Sequence, residues 1–335
     1  MKSNDKNNNL SNLGEFGLIE QIRRQVKSDS TVPVGIGDDC AATIIPEDHV
    51  LLTSKDLLIE DVHFRRSWTS MYQLGRKSAA VNLSDVAAMG GRANHLFLGV
   101  ALPIDIDATD LEDFTRGFLD ECSAAGATLC GGDTCRSNGP LIISVTVQGS
   151  IAANQMVKRS GAQIDDDIYV SGFVGDSALA LAQLQGDITP CDYLILRHNQ
   201  PTPRLELGQQ LVQRQLANAM IDLSDGLFAD LGHIMEQSHC GALVDCRCLP
   251  FSSELRQHLD RNPADIETAL RGGEDYELLF CADPNRADEV ARLSQQLNLP
   301  LTHIGNIKAQ DYSLQRIDIN GNQQQVEAQG FNHFK

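Results

Sequence analysis

The chain has 335 residues, more than one core of ordinary size usually serves, so two domains are expected. Its 45 acidic against 27 basic residues set a formal net charge of −18, which argues against a nucleic-acid or anionic-membrane partner, because such binding rests on Lys and Arg that neutralise phosphates. A polar, Asn-rich start without an apolar signal segment, no apolar run of membrane-spanning length and nine irregularly spaced cysteines read as a cytoplasmic protein with free thiols. Cys240, Cys246 and Cys248 lack the paired CxxC spacing of a zinc site.

Residues 1–13 read as a disordered tail. Helical spacing begins at Phe16, Ile19, Ile22 and Val26, followed by the turn GIGDDC at 35–40 and strand-like runs at 41–45 and 50–54. A helix is expected over 72–89. Ser78, Asn82 and Asp85 fall on one of its faces, a polar stripe on an otherwise apolar helix. Next come a strand at 95–102, a capping box at Thr109–Glu112 opening a helix to about 125, the Gly-Asp turn GGDTC at 131–135, and an alternating strand at 141–149. RSGA at 159–162 and the acidic turn 165–167 mark a domain junction. The pattern then restarts with a strand at 168–173, a helix to about 185, a helix at 204–216, a short strand ending at 221, IDLSDGL leading into a helix to 237, GGEDYELLF at 272–280, a helix at 283–297 and terminal strands. Strands and helices mix without strict βαβ alternation, so the fold class is α+β or α/β in two layered domains, not one doubly wound sheet.

The chemistry concentrates in carboxylates set within Gly-rich apolar segments. There is no GxxxxGKS/T phosphate loop and no GxGxxG after the first strand, so a bound triphosphate would have to be held through magnesium. Candidate oxygen donors are Asp38 and Asp39, Ser54 and Asp56 two apart on a strand, Asp85, Asp133, Asp222 with Ser224 and Asp225, and Glu274 with Asp275. Each has an ordinary explanation on its own: Gly-Asp is a common turn, Ser224–Asp225 reads as a helix N-cap, Asp85 as a solvated helical residue and His63 as a structural histidine. As a converging set they would repel one another at low effective dielectric unless cations offset them.

GEFGLI, GIGDDCA, VHF, AVNLSDVAAMGG, GGDTCR, RSGA, IDLSDGL and GGEDYEL occur in this order, and over about 14–334 the chain closely resembles bacterial thiamine-monophosphate kinases, in the superfamily of aminoimidazole ribonucleotide synthetase and selenophosphate synthetase. The resemblance implies a two-domain aminoimidazole ribonucleotide synthetase-like fold: 14–150 as an ATP- and magnesium-binding dimerisation domain and 151–335 as an α/β domain completing the cleft. It also implies a homodimer pairing its N-terminal sheets, and direct transfer of phosphoryl from ATP to thiamine monophosphate with several Mg2+ ions. Residue by residue it implies that Asp39, Ser54, Lys55, Asp56, Asp85, Asp133, Asp222 and Asp225 surround the metals, with Asp38 supporting Asp39 and with Asp85, Asp133 and Asp222 at the centre of the chemistry. Gly132, Asp133, Arg159 and Ser224 fall at nucleotide contacts, and His63, Glu274 and Phe331 at substrate contacts.

The chain departs from the family pattern at three places. Lys55 stands where a hydroxyl residue is usual. Strand alternation would turn its side chain away and leave only its carbonyl near the metals; alternatively its ammonium reaches the phosphates in place of one magnesium. Asp61 replaces the Gly before VHF. Ala328 stands at a position that is Trp in some relatives, leaving Phe331 as the ring to stack on thiamine. The runner-up functions are an aminoimidazole ribonucleotide synthetase-like ligase and a catalytically silent nucleotide- and metal-binding regulator.

Overall fold

The structure, a computed structural model, describes residues 17, 19–37, 40–186 and 190–331. Two compact units emerge, one of Met1–Val86 with Arg92–Ala153 and the other of Ala87–Gly91 with Asn154–Lys335. The short return of 87–91 to the second unit is not anticipated by a single boundary at 150. The tail 1–13 and the Asp38–Asp39 pair lie outside the described residues.

Unit 1 is a four-stranded sheet of β1 (His49–Ile59), β2 (Arg92–Leu102), β3 (Thr128–Arg136) and β4 (Ile142–Ala152) in the order β1-β4-β2-β3, with only the β2–β3 edge parallel. Alternation sorts the faces as the strand period demands. Leu52 and Leu58 of β1, Leu96, Leu98 and Val100 of β2, and Ile143, Val145 and Val147 of β4 are buried, whereas Leu51 and Leu57 are 45% and 50% exposed. On the buried side lie the helices Met71–Ala88 and Ala108–Ala124. They approach closely because each has a glycine at the contact: a Cβ on Gly75 would lie 2.0 Å from the Phe114 carbonyl oxygen, and one on Gly117 2.0 Å from that of Tyr72.

Three expectations change here. The run 41–45 forms no strand, only a single bridge between Val34 and Ala42. The capping box opening the second helix sits two residues earlier than Thr109: Asp107 accepts from the Asp110 amide, and the Asp110 carboxylate accepts from the Asp107 amide. An Asp at both ends satisfies the same two donors that Thr and Glu would. GGDTC is not a turn but the middle of the edge strand β3.

Unit 2 is a mixed seven-stranded sheet of β5 (Asp167–Ser171), β6 (Ala219–Asp222), β7 (Gly241–Asp245), β8 (Leu278–Ala282), β9 (Leu301–Lys308), β10 (Leu314–Ile317) and β11 (Gln323–Gln325), ordered β11-β10-β7-β9-β5-β8-β6. Both faces are covered. Ile168, Val170, Ile221, Leu279 and Cys281 join one core with Leu227 and Leu231, while Tyr169, Met220, Leu278 and Phe280 join another with Leu207 and Leu293. A sheet buried on both faces reads as continuous hydrophobic runs, as in LLFCA of β8. The helices Asp176–Gln185, Leu205–Gln213, Leu227–Ser238 and Ala287–Leu297 match expected segments, whereas Asp192–Asn199, Ser253–Arg261 and Ile266–Arg271 were not expected. Burial raises the thiols of Cys240 and Cys246 to about 11 and leaves them as core residues, with Cys248 exposed.

Candidate functional site

In unit 1, β1 and the helix Met71–Ala88 bring three sequence-predicted residues together. The Ser54 hydroxyl donates to the Asp85 carboxylate at 2.5 Å, and the Asp56 amide donates to the Asn82 side-chain oxygen at 3.2 Å. The polar stripe on this helix faces the sheet: Ser78 and Asn82 are fully buried, the Ser78 hydroxyl donating to the Leu74 carbonyl and the Asn82 amide to that of Ser78. Asp56 is pushed up to about 6, first by burial and then by the charge of Asp85. Two carboxylates and a hydroxyl meeting in a half-buried place make a hard oxygen set of the kind a magnesium ion takes.

Lys55 does not join this cluster. Its ammonium donates to the Ser144 hydroxyl at 2.6 Å, on the sheet face opposite Ser54 and Asp56, an arrangement that favours the reading in which the side chain turns away. We expect Lys55→Thr to leave the magnesium dependence of the rate and the KM for ATP unchanged within about 2-fold, the scale of a surface substitution away from special contacts. Steady-state kinetics across a magnesium series measures this, and a steeper magnesium dependence in the variant would contradict the geometry.

His63 closes the turn after β1. Its amide donates to the Ile59 carbonyl at 2.9 Å and its Nδ1 accepts from the Ile59 amide at 3.0 Å, so the neutral ring carries its proton on Nε2. Asp61 sits in this turn at φ 65°, a left-handed conformation that Gly adopts freely and Asp tolerates. At the other edge of unit 1, a Cβ on Gly132 would lie 1.8 Å from the Leu98 carbonyl oxygen, so only Gly fits there. Gly131, Gly132 and Asp133 border a cavity of about 730 Å³ lined by apolar side chains including Ile19, Ile36 and Phe97.

In unit 2, three segments converge. The Glu274 amide donates to the Ser224 carbonyl at 2.9 Å and the Phe331 amide to the Asp225 carbonyl at 3.0 Å, joining IDLSDGL, GGEDYEL and the C-terminal segment. Glycines permit the approach: a Cβ on Gly273 would lie 1.9 Å from the Ser224 carbonyl oxygen and one on Gly330 2.3 Å from that of Asp225. Phe331 is 53% exposed beside this junction. The Ser224–Asp225 pair is not a helix cap. The N-cap is Gly226 at φ 117°, with no side-chain cap, and the Asp230 carboxylate from the first turn accepts from the amides of Asp225 and Gly226 at 3.1 and 3.0 Å. Asp230 is a residue that the motif reading missed. Burial, with the charges of Asp222 and Asp225, raises it to about 8. One ligand atom each of Asp225, Asp230 and His233 lie within 4.8 Å of one another. Arg159 stands apart from this junction: its side chain is exposed and its carbonyl accepts from Ser238 at 2.9 Å.

Comparison with known proteins identifies the family. The model of the AIR synthase related protein N-terminal domain matches residues 37–151, and that of the C-terminal domain residues 152–316. A thiamine-monophosphate kinase of Haemophilus influenzae is 40% identical over 330 residues, covering 96% of this chain and 98% of that protein, and one of Escherichia coli K12 is 42% identical over 327 residues with the same coverage. Among solved structures, thiamine-monophosphate kinase from Stenotrophomonas maltophilia K279a superposes with a TM-score of 0.80 at 41% identity, covering 87% of this chain and 93% of that one. AaThiL complexed with AMPPCP and TMP superposes with a TM-score of 0.75 at 33% identity, covering 97% and 98%. A hydrogenase maturation protein, HypE, shares the fold with a TM-score of 0.78 at 18% identity.

Proposed function

The chain belongs to the AIR synthase related family, and on that footing we propose that it is a thiamine-monophosphate kinase, transferring phosphoryl from ATP to thiamine monophosphate to form thiamine diphosphate and ADP. The observation that carries this reading is identity of about two residues in five, spread over 96% of the chain, with proteins of that name.

The acceptor is a phosphate oxygen, already anionic near neutral pH, so the reaction asks for positioning and charge stabilisation and not for a general base. Asp56, Asp85 and Ser54 would hold magnesium in unit 1, with Asp39, the Lys55 carbonyl and, from the opposite edge strand, Asp133 as further ligands, and Asp222 and Asp225 would do so in unit 2. The half-buried oxygen set of Ser54, Asp56 and Asp85 supports the unit 1 part of this assignment. Bound magnesium supplies charge neutralisation between the donor and acceptor phosphates. Asp85, Asp133 and Asp222 fix where that neutralisation falls. Gly132, Asp133, Arg159 and Ser224 would bind the nucleotide, a role supported for Gly132 and Asp133 by the cavity of about 730 Å³ that they border. His63, Glu274 and Phe331 orient thiamine monophosphate, supported in unit 2 by the junction that seats Glu274 and Phe331 side by side on IDLSDGL. The homodimer fits the outer face of the unit 1 sheet, where Leu51 and Leu57 stand exposed on β1. No helix among the described residues is long and apolar enough to cross a membrane.

Purified protein given ATP, magnesium and thiamine monophosphate should form thiamine diphosphate and ADP in equal amounts, and a chelator should abolish the reaction. ATP consumption with formylglycinamidine ribonucleotide but not with thiamine monophosphate would favour the ligase reading, and turnover of neither would favour the silent regulator.

A further inference from the structure

The segment 272–277 carries two non-glycine residues in the left-handed region, Glu274 at φ 67° and Tyr276 at φ 51°. Such conformations cost free energy and persist only where their surroundings over-determine them. Here the backbone is pinned from both sides. The amides of Glu274 and Tyr276 donate to Ser224 and Leu223 at 2.9 and 2.8 Å, and the Asp275 carboxylate between them accepts from the Gly175 amide at 2.7 Å. With the backbone fixed, the freedom left to Glu274 lies in its side-chain torsions, which a long acidic side chain gives up at an entropic cost.

His198, at the end of the helix Asp192–Asn199, meets that side chain. Its Nδ1 lies 3.4 Å from the Glu274 carboxylate and 2.9 Å from the Ser177 hydroxyl. The histidine side chain is 3% exposed and that of Glu274 24%, so a ligand can reach the carboxylate but not the ring. Ser177 is tied to the same pinned segment, its amide 3.4 Å from the second Asp275 oxygen. Ring, hydroxyl and carboxylate therefore interlock. With a proton on Nδ1 the ring presents a single donor, shared between the Ser177 hydroxyl at 2.9 Å and the Glu274 carboxylate at 3.4 Å.

We propose that His198 is a positioning residue for the substrate site, buried beneath Glu274 and fixing the direction in which its carboxylate faces thiamine monophosphate. The inference rests on the reading that Glu274 touches that substrate. It predicts a selective defect. His198→Ala should raise the KM for thiamine monophosphate about 10-fold, the scale of losing a hydrogen bond to a charged group, and leave the KM for ATP within about 2-fold. His198→Asn, whose amide nitrogen falls near Nδ1, should recover most of the loss. In a Glu274→Gln background His198→Ala should add little. If His198→Ala is insoluble, Ser177→Ala carries the same test by freeing the ring, with a smaller rise in the same constant.

The proposal is overturned if His198→Ala or Ser177→Ala raises both KM values together, if Asn fails to recover the loss, or if the His198 and Glu274 effects multiply independently. A raised KM in Glu274→Gln beside an unaffected His198→Ala would remove the positioning role alone. An unchanged KM in Glu274→Gln would show that Glu274 does not meet the substrate, and the role of His198 would fall with that reading.

Discussion

Asp85→Asn should lower turnover by at least about 100-fold, the loss associated with one strong electrostatic contact at a site where charge is being transferred. The substitution keeps the volume and one acceptor oxygen, so the Ser54 hydroxyl retains its partner and the buried ladder of Asn82 and Ser78 is untouched. What disappears is a full negative charge beside Asp56. The loss should fall on turnover and on the magnesium concentration needed to reach it, and not on folding. Thermal unfolding without magnesium should stay level or rise slightly, because Asp85 is one of the two causes that raise Asp56. Parallel kinetics and calorimetry check both halves. Near-normal turnover would place Asp85 outside the reaction, and a lower melting temperature would make it a structural residue.

The unit 1 half of the candidate site was legible because its residues obey short periods. Ser54 and Asp56 share a strand face, Asp85 shares a helix face with Asn82 and Ser78, and packing that strand on that helix is enough to join them. The same alternation foretold that Lys55 would turn away. Local chemistry misled where another acceptor serves the helix start: Asp107 and Asp110 form the capping box in place of Thr109 and Glu112, and Asp230 accepts from the amides of Asp225 and Gly226 where Ser224–Asp225 reads as the cap. The helices Asp192–Asn199 and Ser253–Arg261 went unread because they are short and each buries a single apolar residue, Leu194 and Leu255. His198 was hidden for a related reason. Its partners Ser177 and Glu274 are 21 and 76 positions away, and no spacing rule connects them.

Glu277→Gln is expected to destabilise unit 2 by about 3–5 kcal/mol, the range for breaking a buried charge pair from one side. Glu277 is fully buried one residue before β8. Its carboxylate accepts from Arg204 through Nε at 2.6 Å and Nη2 at 2.5 Å, from Arg197 at 3.0 Å and from the Ser171 hydroxyl at 2.6 Å. An amide of the same shape keeps one acceptor but turns an NH2 group toward guanidinium donors. Arg197 retains Asp176 at 3.9 Å, whereas the charge of Arg204, 18% exposed, loses the carboxylate it grips with two nitrogens. Burial already holds the adjacent Asp275 at about 7, so that carboxyl is a poor substitute counter-ion. The melting temperature should fall on the order of 10 °C for a unit of this size, and calorimetry should assign the shift to unit 2. Because Glu277 anchors one end of the segment that carries Glu274, the KM for thiamine monophosphate should rise below the new melting temperature as well. An unchanged melting temperature would mean that the guanidiniums reach water once the carboxylate is gone, and that the pair adds nothing to the hold on Glu274.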